Sequence, residues 1–455
     1  MQTPIYDFVT EYINSNAVRL HMPGHKGQNV LGFEVRDITE ISGADALYEA
    51  SGIIAESEAN ATELFGTGRT LYSTEGSSQC VKAMLALARR WWQEKNKRSV
   101  TERPVVVAAR NVHKAFLYAV ISLDFEIEWL WPEEENPTLC GCMVTAKTLE
   151  RVLREQGDRV AAVYLTSPNY LGGMLDISSM AEVCHKYKTL LCVDNAHGAY
   201  LRFLEHSLHP MDLGADLCCD SAHKTLPVLT GGAYLHISKN APEELKDWAK
   251  GALELFGSTS PSYLILQSLD LCNKYLADTY RAELNKFCEW LEQYREQLKE
   301  KGWQVEKTDP LRITIKALAG SSGTQLAEQL RRRNIECEFA DEDYVVLMVT
   351  PYNTYKDFYN LSEAFEESKL NQDIINRKSA KLPAAGIKRS MSVRNAYFSA
   401  GESIPVEQAS GRICRMPMAT CPPAVPIVVP GEVIDDAAVQ SFLYYGITMI
   451  EVVKE

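Results

Sequence analysis

From Val81 to Ser238 the chain alternates helical patterns with short apolar runs: "RPVVVAA", "VAAVYLTSP", "TLLCVDNAHG", "ADLCCDSAHK" and "GGAYLHIS". These runs are rich in Val, Ala, Leu and Cys and lack strict polar alternation. That pattern belongs to strands covered on both faces, and helices between them suit a mainly parallel sheet. The spacing therefore predicts an α/β domain. In open sheets of this kind ligands bind beyond the carboxyl ends of the strands. The polar residues that end the runs are thus expected to meet in one crevice: Asn111, His113, Ser167, Asn169, Asp194, His197 and the stretch Ser221 to Lys224.

A long helical pattern runs from Ser262 to a stop at Gly302, and a rod of this kind suits a link between two domains. Beyond it, "QVEKTDPLRITIKAL", "TQLAEQLRRRNIECEFADED" and "YVVLMVTP" read as strand, helix, strand, which predicts a smaller α+β domain. We read residues 1–50 as an N-terminal arm, 51–290 as the large domain and 291–455 as the C-terminal domain. The polar, basic stretch from Ile375 to Ser390 reads as a linker, and "PEEENP" and "RRRN" as solvated charge runs.

A chain of 455 residues, 46% hydrophobic, can bury a substantial core, so disorder is excluded. Its 47 basic and 60 acidic residues leave a net charge of −13, which argues against general affinity for nucleic acid or anionic membrane. The first residues lack a basic and apolar leader pattern, and no stretch approaches a membrane span. A cytoplasmic protein is expected. The 12 cysteines are scattered through apolar runs, where Cys acts as a small hydrophobe, and are read as reduced; Cys140 and Cys142 form a lone C-x-C, a weak pattern for zinc.

"DSAHKTLP", Asp220 to Pro227, places a lysine directly after an apolar strand. Lys is among the residues least often buried without a partner, so Lys224 either opens an exposed turn or has been brought inward for chemistry. An enzyme using pyridoxal 5′-phosphate (PLP) needs an amine to hold the cofactor, a carboxylate near the pyridine nitrogen and a phosphate cradle, often at a helix N-terminus. "YSTEGSSQCVKAMLALARRWW" offers such a cradle: Gly76, Ser77 and Ser78 precede an amphipathic helix. Asp194 ends the strand "LLCVD", and His113 follows another strand. Taken singly, Ser-Ser also serves as an ordinary cap, Asp194 as the cap of a following helix, and His113 as a helix-entry residue. Their order along the chain, each at a strand end, points to the cofactor.

"HMPGHKG" (His21 to Gly27), "TEGSS", "RNVHKA", "TSPNYLG", "DNAHGAY" and "SAHKTLP" together resemble the ornithine/lysine/arginine decarboxylases, which have the aspartate-aminotransferase fold. "STSPSYLILQSLD" and "PPAVPIVVPGE" extend the resemblance over almost the whole chain. It implies a PLP-dependent large domain, a smaller C-terminal domain and decarboxylation of a basic amino acid. Residue by residue, it implies that Lys224 carries the cofactor as a Schiff base, Asp194 meets the pyridine nitrogen, His113 stacks on the ring and Ala196 lies beneath it. His197 falls within the same cofactor-binding motif. Ser77, Ser78, Ser221 and Gln79, with Gly76, would hold the phosphate, and Ser258 or Thr259 would reach the phosphate of a neighbouring subunit. His223 would lie close to phosphate and substrate, and Glu432 at the distal cation of the substrate; a helix N-terminal role for Glu432 before "VIDDAAVQSFL" is the alternative.

The chain also departs from the family pattern. Glu75 replaces a common Asn, Asn195 a usual Glu, Cys421 a Tyr and Ala424 a Gly. His25 and Lys26 are expected to order the arm. The resemblance is to short-form members, so a homodimer with interfacial active sites is the expected minimum, without large rings. No metal is expected. Arginine ranks ahead of lysine and ornithine as substrate. The competing readings are another enzyme of this fold, an aminotransferase or lyase, and a PLP-binding member that has lost turnover.

Overall fold

The five apolar runs are strands in the computed structural model, which describes residues 1–132, 138–370, 387–418 and 424–454. They are β2 (Val105–Ala109), β4 (Val160–Thr166), β5 (Leu190–Asp194), β6 (Leu217–Asp220) and β7 (Ala233–Ile237). Two strands were not anticipated: β1 (Arg69–Ser73) and β3 (Glu126–Leu130). All seven form one sheet in the order β1-β7-β6-β5-β4-β2-β3. β5 and β6 pair in parallel, whereas β7 runs antiparallel to both β6 and β1. β2, β5, β6 and β7 are buried along their whole length, which is why their sequences carry no alternation.

The chain divides into two compact units. The first comprises 1–107, 149–165 and 176–282, and the second 108–148, 166–175 and 283–455. In the first, the helix Gly76–Asn96 lies on β5, β6 and β7 and packs against the helix Glu243–Glu254. Its buried residues Val81, Met84, Leu85, Ala88 and Trp92 recur at helical spacing and face that core. The rod is helical from Tyr263 to Glu300, with a π turn at Leu276–Tyr280, and ends at Gly302, whose φ of +87° suits a residue without Cβ.

In the second unit β8 (Gln304–Val305), β9 (Arg312–Lys316), β10 (Phe339–Ala340) and β11 (Tyr344–Met348) form a sheet in the order β10-β11-β9-β8. The helix Gly323–Arg332 begins at a capping box between Ser322 and Gln325 and lays Leu326, Ala327 and Leu330 into the core with Ile313, Ile315 and Val345. "RRRN" ends that helix. A further hairpin pairs β12 (Gly401–Pro405) with β13 (Met449–Val453). The expected linker lies mostly outside the described residues, as do most of "PEEENP" and Cys421.

Among the described residues no helix is long and apolar enough to cross a membrane. Cys140 and Cys142 are buried, and burial pushes both thiols up.

Candidate active site

Within the first unit the ends of β1, β5 and β6 carry most of the anticipated residues. β1 leads through Thr74 and Glu75 into the helix Gly76–Asn96. Gly76 has a φ of +70°, and a Cβ there would meet nothing within 4 Å, so the first turn opens onto free space. Of the N–H groups at this helix start, Glu75 donates to Ser73 Oγ at 3.1 Å and Gly76 to the Gly231 carbonyl at 2.7 Å. Among the described residues the N–H groups of Ser77 and Ser78 have no partner. Ser221, buried at the end of β6, donates from Oγ to Ser77 Oγ at 2.8 Å. Two amides, clustered hydroxyls and the positive end of a 21-residue helix thus converge on open space.

Gln79 contributes differently. Its side chain is buried and spent: Oε1 accepts from Ser73 at 2.5 Å, and Nε2 donates to Tyr48 at 2.7 Å and to the Leu253 carbonyl at 2.8 Å. Gly257 approaches so closely that a Cβ would come within 1.9 Å of Tyr48 Oη and 2.1 Å of Gln79 Nε2. The loop that follows carries Ser258 and Thr259, both exposed, and Ser258 donates its N–H to Glu75 Oε1 at 2.5 Å. Glu75 therefore ties this loop to the cradle.

β5 ends at Asp194, which is 4% exposed. Its Oδ2 accepts from the Tyr164 hydroxyl at 2.8 Å, and its Oδ1 from the Ala196 N–H at 3.2 Å and from the Cys219 thiol at 3.7 Å. A tight turn follows, closed by Gly198 N–H on the Asn195 carbonyl at 2.8 Å, and it brings His197 to Lys224: Nε2 and Nζ are 2.9 Å apart. His223 donates from Nδ1 to the Gly232 carbonyl at 3.0 Å, because a carbonyl only accepts, and this leaves Nε2 with its lone pair. Burial, with the neighbouring Lys224 charge, lowers the His223 pKa below its ordinary 6.5, so the ring is neutral at pH 7.

Two features escaped the sequence reading. Tyr164, fully buried, looked like another core residue of "VAAVYLT". Asp220 is fully buried: Oδ2 accepts from His209 at 2.9 Å and His236 at 3.0 Å, while Oδ1 accepts from Asn195 at 2.7 Å. The only signal was an acidic residue inside "LCCDS". Asn195, one of the departures, thus links the ends of β5 and β6.

His113, Glu432 and Ala424 belong to the second unit. His113 caps the helix Lys114–Leu123, its Nδ1 accepting from Ala115 N–H at 3.1 Å, and Lys114 N–H donates to the Ala424 carbonyl at 3.0 Å. Ala424 has a φ of +56°, a left-handed conformation that a Gly adopts without cost. Glu432 is not at a helix start: the helix Asp436–Tyr444 is capped by Asp435. Instead Glu432 is 1% exposed, and its Oε2 accepts from Arg110 at 3.1 Å and from Val429 N–H at 2.8 Å. Among the described residues no partner meets its Oε1. In the arm, His25 bridges Asp37 at 3.2 Å and Gly27 N–H at 3.0 Å, a local ordering contact.

The donor set of the first unit fits a phosphorylated pyridine aldehyde. Unpaired amides and serines suit the phosphate, a buried carboxylate suits a ring N–H, and an amine suits the aldehyde.

Comparison with known proteins bears on the same point. The family model of the Orn/Lys/Arg decarboxylase major domain matches residues 3–319, and that of the C-terminal domain matches residues 372–451. An arginine decarboxylase of Bacillus subtilis is 28% identical over 96% of this chain and 92% of its own length. Among solved structures, lysine decarboxylase A from Pseudomonas aeruginosa superposes with a TM-score of 0.83 at 16% identity, over 99% of this chain and 80% of that one. The constitutive lysine decarboxylase of E. coli gives a TM-score of 0.79 at 17% identity, over 100% and 82%. The chain belongs to the Orn/Lys/Arg decarboxylases, PLP-dependent enzymes that remove the carboxyl group of a basic amino acid.

Proposed function

We propose that arginine is the preferred substrate, ahead of lysine and ornithine, and that the active sites form in a homodimer. The cofactor chemistry behind this reading rests on one observation, the presence of Lys224, Asp194 and the Ser77, Ser78 and Ser221 cradle within one unit. The curated arginine decarboxylase that aligns along nearly the whole chain supports the choice of substrate. Exposed Val18, Leu20 and Met22 in the arm, at 82%, 89% and 70%, are apolar surface that a second copy would cover. Ser258 and Thr259 lie on an exposed loop, suited to reach a neighbour's phosphate.

When bound, the cofactor supplies an electron sink for the pair released as carbon dioxide leaves. Lys224 holds it covalently. Asp194 keeps a proton at the ring nitrogen by charge attraction, with Tyr164 and the Ala196 N–H fixing the orientation of the carboxylate. The amides of Ser77 and Ser78, their hydroxyls and Ser221 bind the phosphate; Gln79, whose side chain is engaged, contributes by shaping the turn. By the family resemblance His113 would be the ring-stacking residue and Ala196 the small residue beneath the ring. The Lys224 amine would deliver a proton to the substrate α-carbon, and His223, whose Nε2 carries a lone pair, would do so only after accepting one there. Glu432 would offer its Oε1 to a cationic group by the family resemblance, while Oε2 remains with Arg110 and the Val429 N–H.

The test is a panel of amino acids offered to the PLP-loaded protein, with amine and carbon dioxide both scored. The expected result is one carbon dioxide per amine, fastest with arginine. Keto-acid formation without carbon dioxide would mean an aminotransferase. A chromophore with no product across the panel would mean a binding protein.

A further inference from the structure

We infer that His197 is the proton acceptor that readies Lys224 to take up the cofactor, an inference resting on the reading of Lys224 as the cofactor lysine. Lysine reaches this task in the wrong state: with an ordinary pKa of about 10.4, only about one side chain in 2,500 is neutral at pH 7. An ammonium has no lone pair and cannot attack an aldehyde carbon. The Lys224 ammonium also only donates hydrogen bonds, so His197 Nε2, 2.9 Å away, is the acceptor and carries the lone pair.

The local fold holds that pairing in place. His197 is 6% exposed, on the turn that follows Asp194. A Cβ on Gly198 would come within 2.0 Å of Asn195 Oδ1 and 2.6 Å of Leu201 Cδ1, so the turn closes this tightly only with glycine. Of the basic groups at the ends of these strands, His223 is held by its Nδ1–H on the Gly232 carbonyl and Asp194 receives Tyr164 and Ala196, whereas His197 Nε2 stands 2.9 Å from the amine.

The step balances with His197 returned unchanged. One proton passes from the Lys224 ammonium to His197 Nε2, and the freed lone pair forms a bond to the aldehyde carbon. The carbon–oxygen double bond breaks and the oxygen departs as water. Of the three ammonium protons, two leave in that water, one of them by way of His197, and the third stays on the nitrogen.

The experiment follows cofactor loading rather than turnover. Cofactor-stripped full-length wild type, H197Q and K224A are mixed with PLP, and the visible chromophore of lysine-bound cofactor is timed, with borohydride fixing the label. H197Q should load about 100-fold more slowly at pH 7, the lower range for loss of a proton-transfer group. Raising the pH or adding free imidazole should restore its rate. A wild-type rate in H197Q, or a slow rate that neither imidazole nor pH moves, overturns the inference. If K224A still takes the label, the reading of Lys224 itself fails; if K224A loses it while H197Q is normal, only the His197 role fails. Should H197Q not fold, the wild type decides. A loading rate that stops rising with pH well below the ordinary lysine pKa supports the role, and one that climbs tenfold per unit up to about pH 9 overturns it.

Discussion

Asp194 and Asp220 end adjacent parallel strands, and both are buried, yet they are provided for in opposite ways. Asp220 is saturated: two imidazoles share Oδ2, and Asn195 and the Cys218 thiol meet Oδ1. Asp194 receives one phenol, one amide and one thiol at 3.7 Å, a weak contact. A buried carboxylate surrounded by donors has no reason to bind anything further, and its charge serves to hold elements together. One left with unused acceptor capacity near a crevice retains electrostatic energy for a ligand. The two positions are joined through Asn195, which follows one in sequence and donates to the other. The fold therefore joins a saturated anion to one with acceptor capacity to spare.

The largest expected effect is on stability, at the saturated site. Asp220→Asn removes the charge that His209 and His236 share in a fully buried cluster, a loss expected to cost about 3 to 5 kcal/mol in urea unfolding. A cost under about 1 kcal/mol would erase the distinction, since it would make Asp220 an ordinary polar residue. The pH dependence gives the same cluster a signature. Burial outweighs the attraction of Asp220 and lowers His236 below its ordinary 6.5. Burial alone would raise Asp220, but the charges and hydrogen bonds of His209 and His236 carry its carboxyl well below 3.8. In both cases the unfolded chain binds the proton more readily. Stability is thus full above pH 6.5, falls as His236 titrates in the unfolded chain, and falls again below pH 3.8 as Asp220 does. The second fall should vanish in Asp220→Asn.

Next in size is an effect on rate, at Asp194. Asp194→Ala should lower kcat by about 100-fold to 1,000-fold, the usual consequence of removing a preorganised electrostatic partner. Its unfolding free energy should change by less than that of Asp220→Asn. If both variants lose mainly stability, the two carboxylates are alike and the proposed ring-nitrogen role of Asp194 loses its support.

The contrast also explains what could be read in advance. Continuous apolar runs betray fully buried strands, so five of seven were legible. β3, "EIEWL", mixes polar with apolar residues in five positions, and β1, "RTLYS", is as short and polar. Asp194, Lys224 and the Gly76 turn announce themselves because each is a polar or glycine residue at the edge of a regular element. The saturation of Asp220 was not legible, because its donors lie 11, 16 and 25 residues away on other elements. Glu432 could be singled out from its motif, but its partner Arg110 is 322 positions distant and only folding joins them. Local pattern reveals where a strand ends, while pairing of buried charge is a property of packing.

The smallest effect comes from Tyr164, whose hydroxyl donates to Asp194 Oδ2 at 2.8 Å from the neighbouring strand. Tyr164→Phe preserves the ring and its burial and removes one donor, a change of about 1 kcal/mol, or roughly fivefold in rate. Two consequences oppose each other. A carboxylate with fewer donors is more basic, which strengthens its hold on a ring-nitrogen proton. It is also freer to rotate, which weakens that hold. Oδ1 keeps the Ala196 N–H at 3.2 Å, so one oxygen stays anchored, but among the described residues the oxygen that loses the phenol is left with no donor. Orientation should therefore dominate, giving a roughly fivefold lower kcat with KM and urea midpoint unchanged. A faster variant would show that Tyr164 restrains the basicity of Asp194. A variant that instead loses stability would place Asp194 beside Asp220, as a second carboxylate whose donors serve the fold.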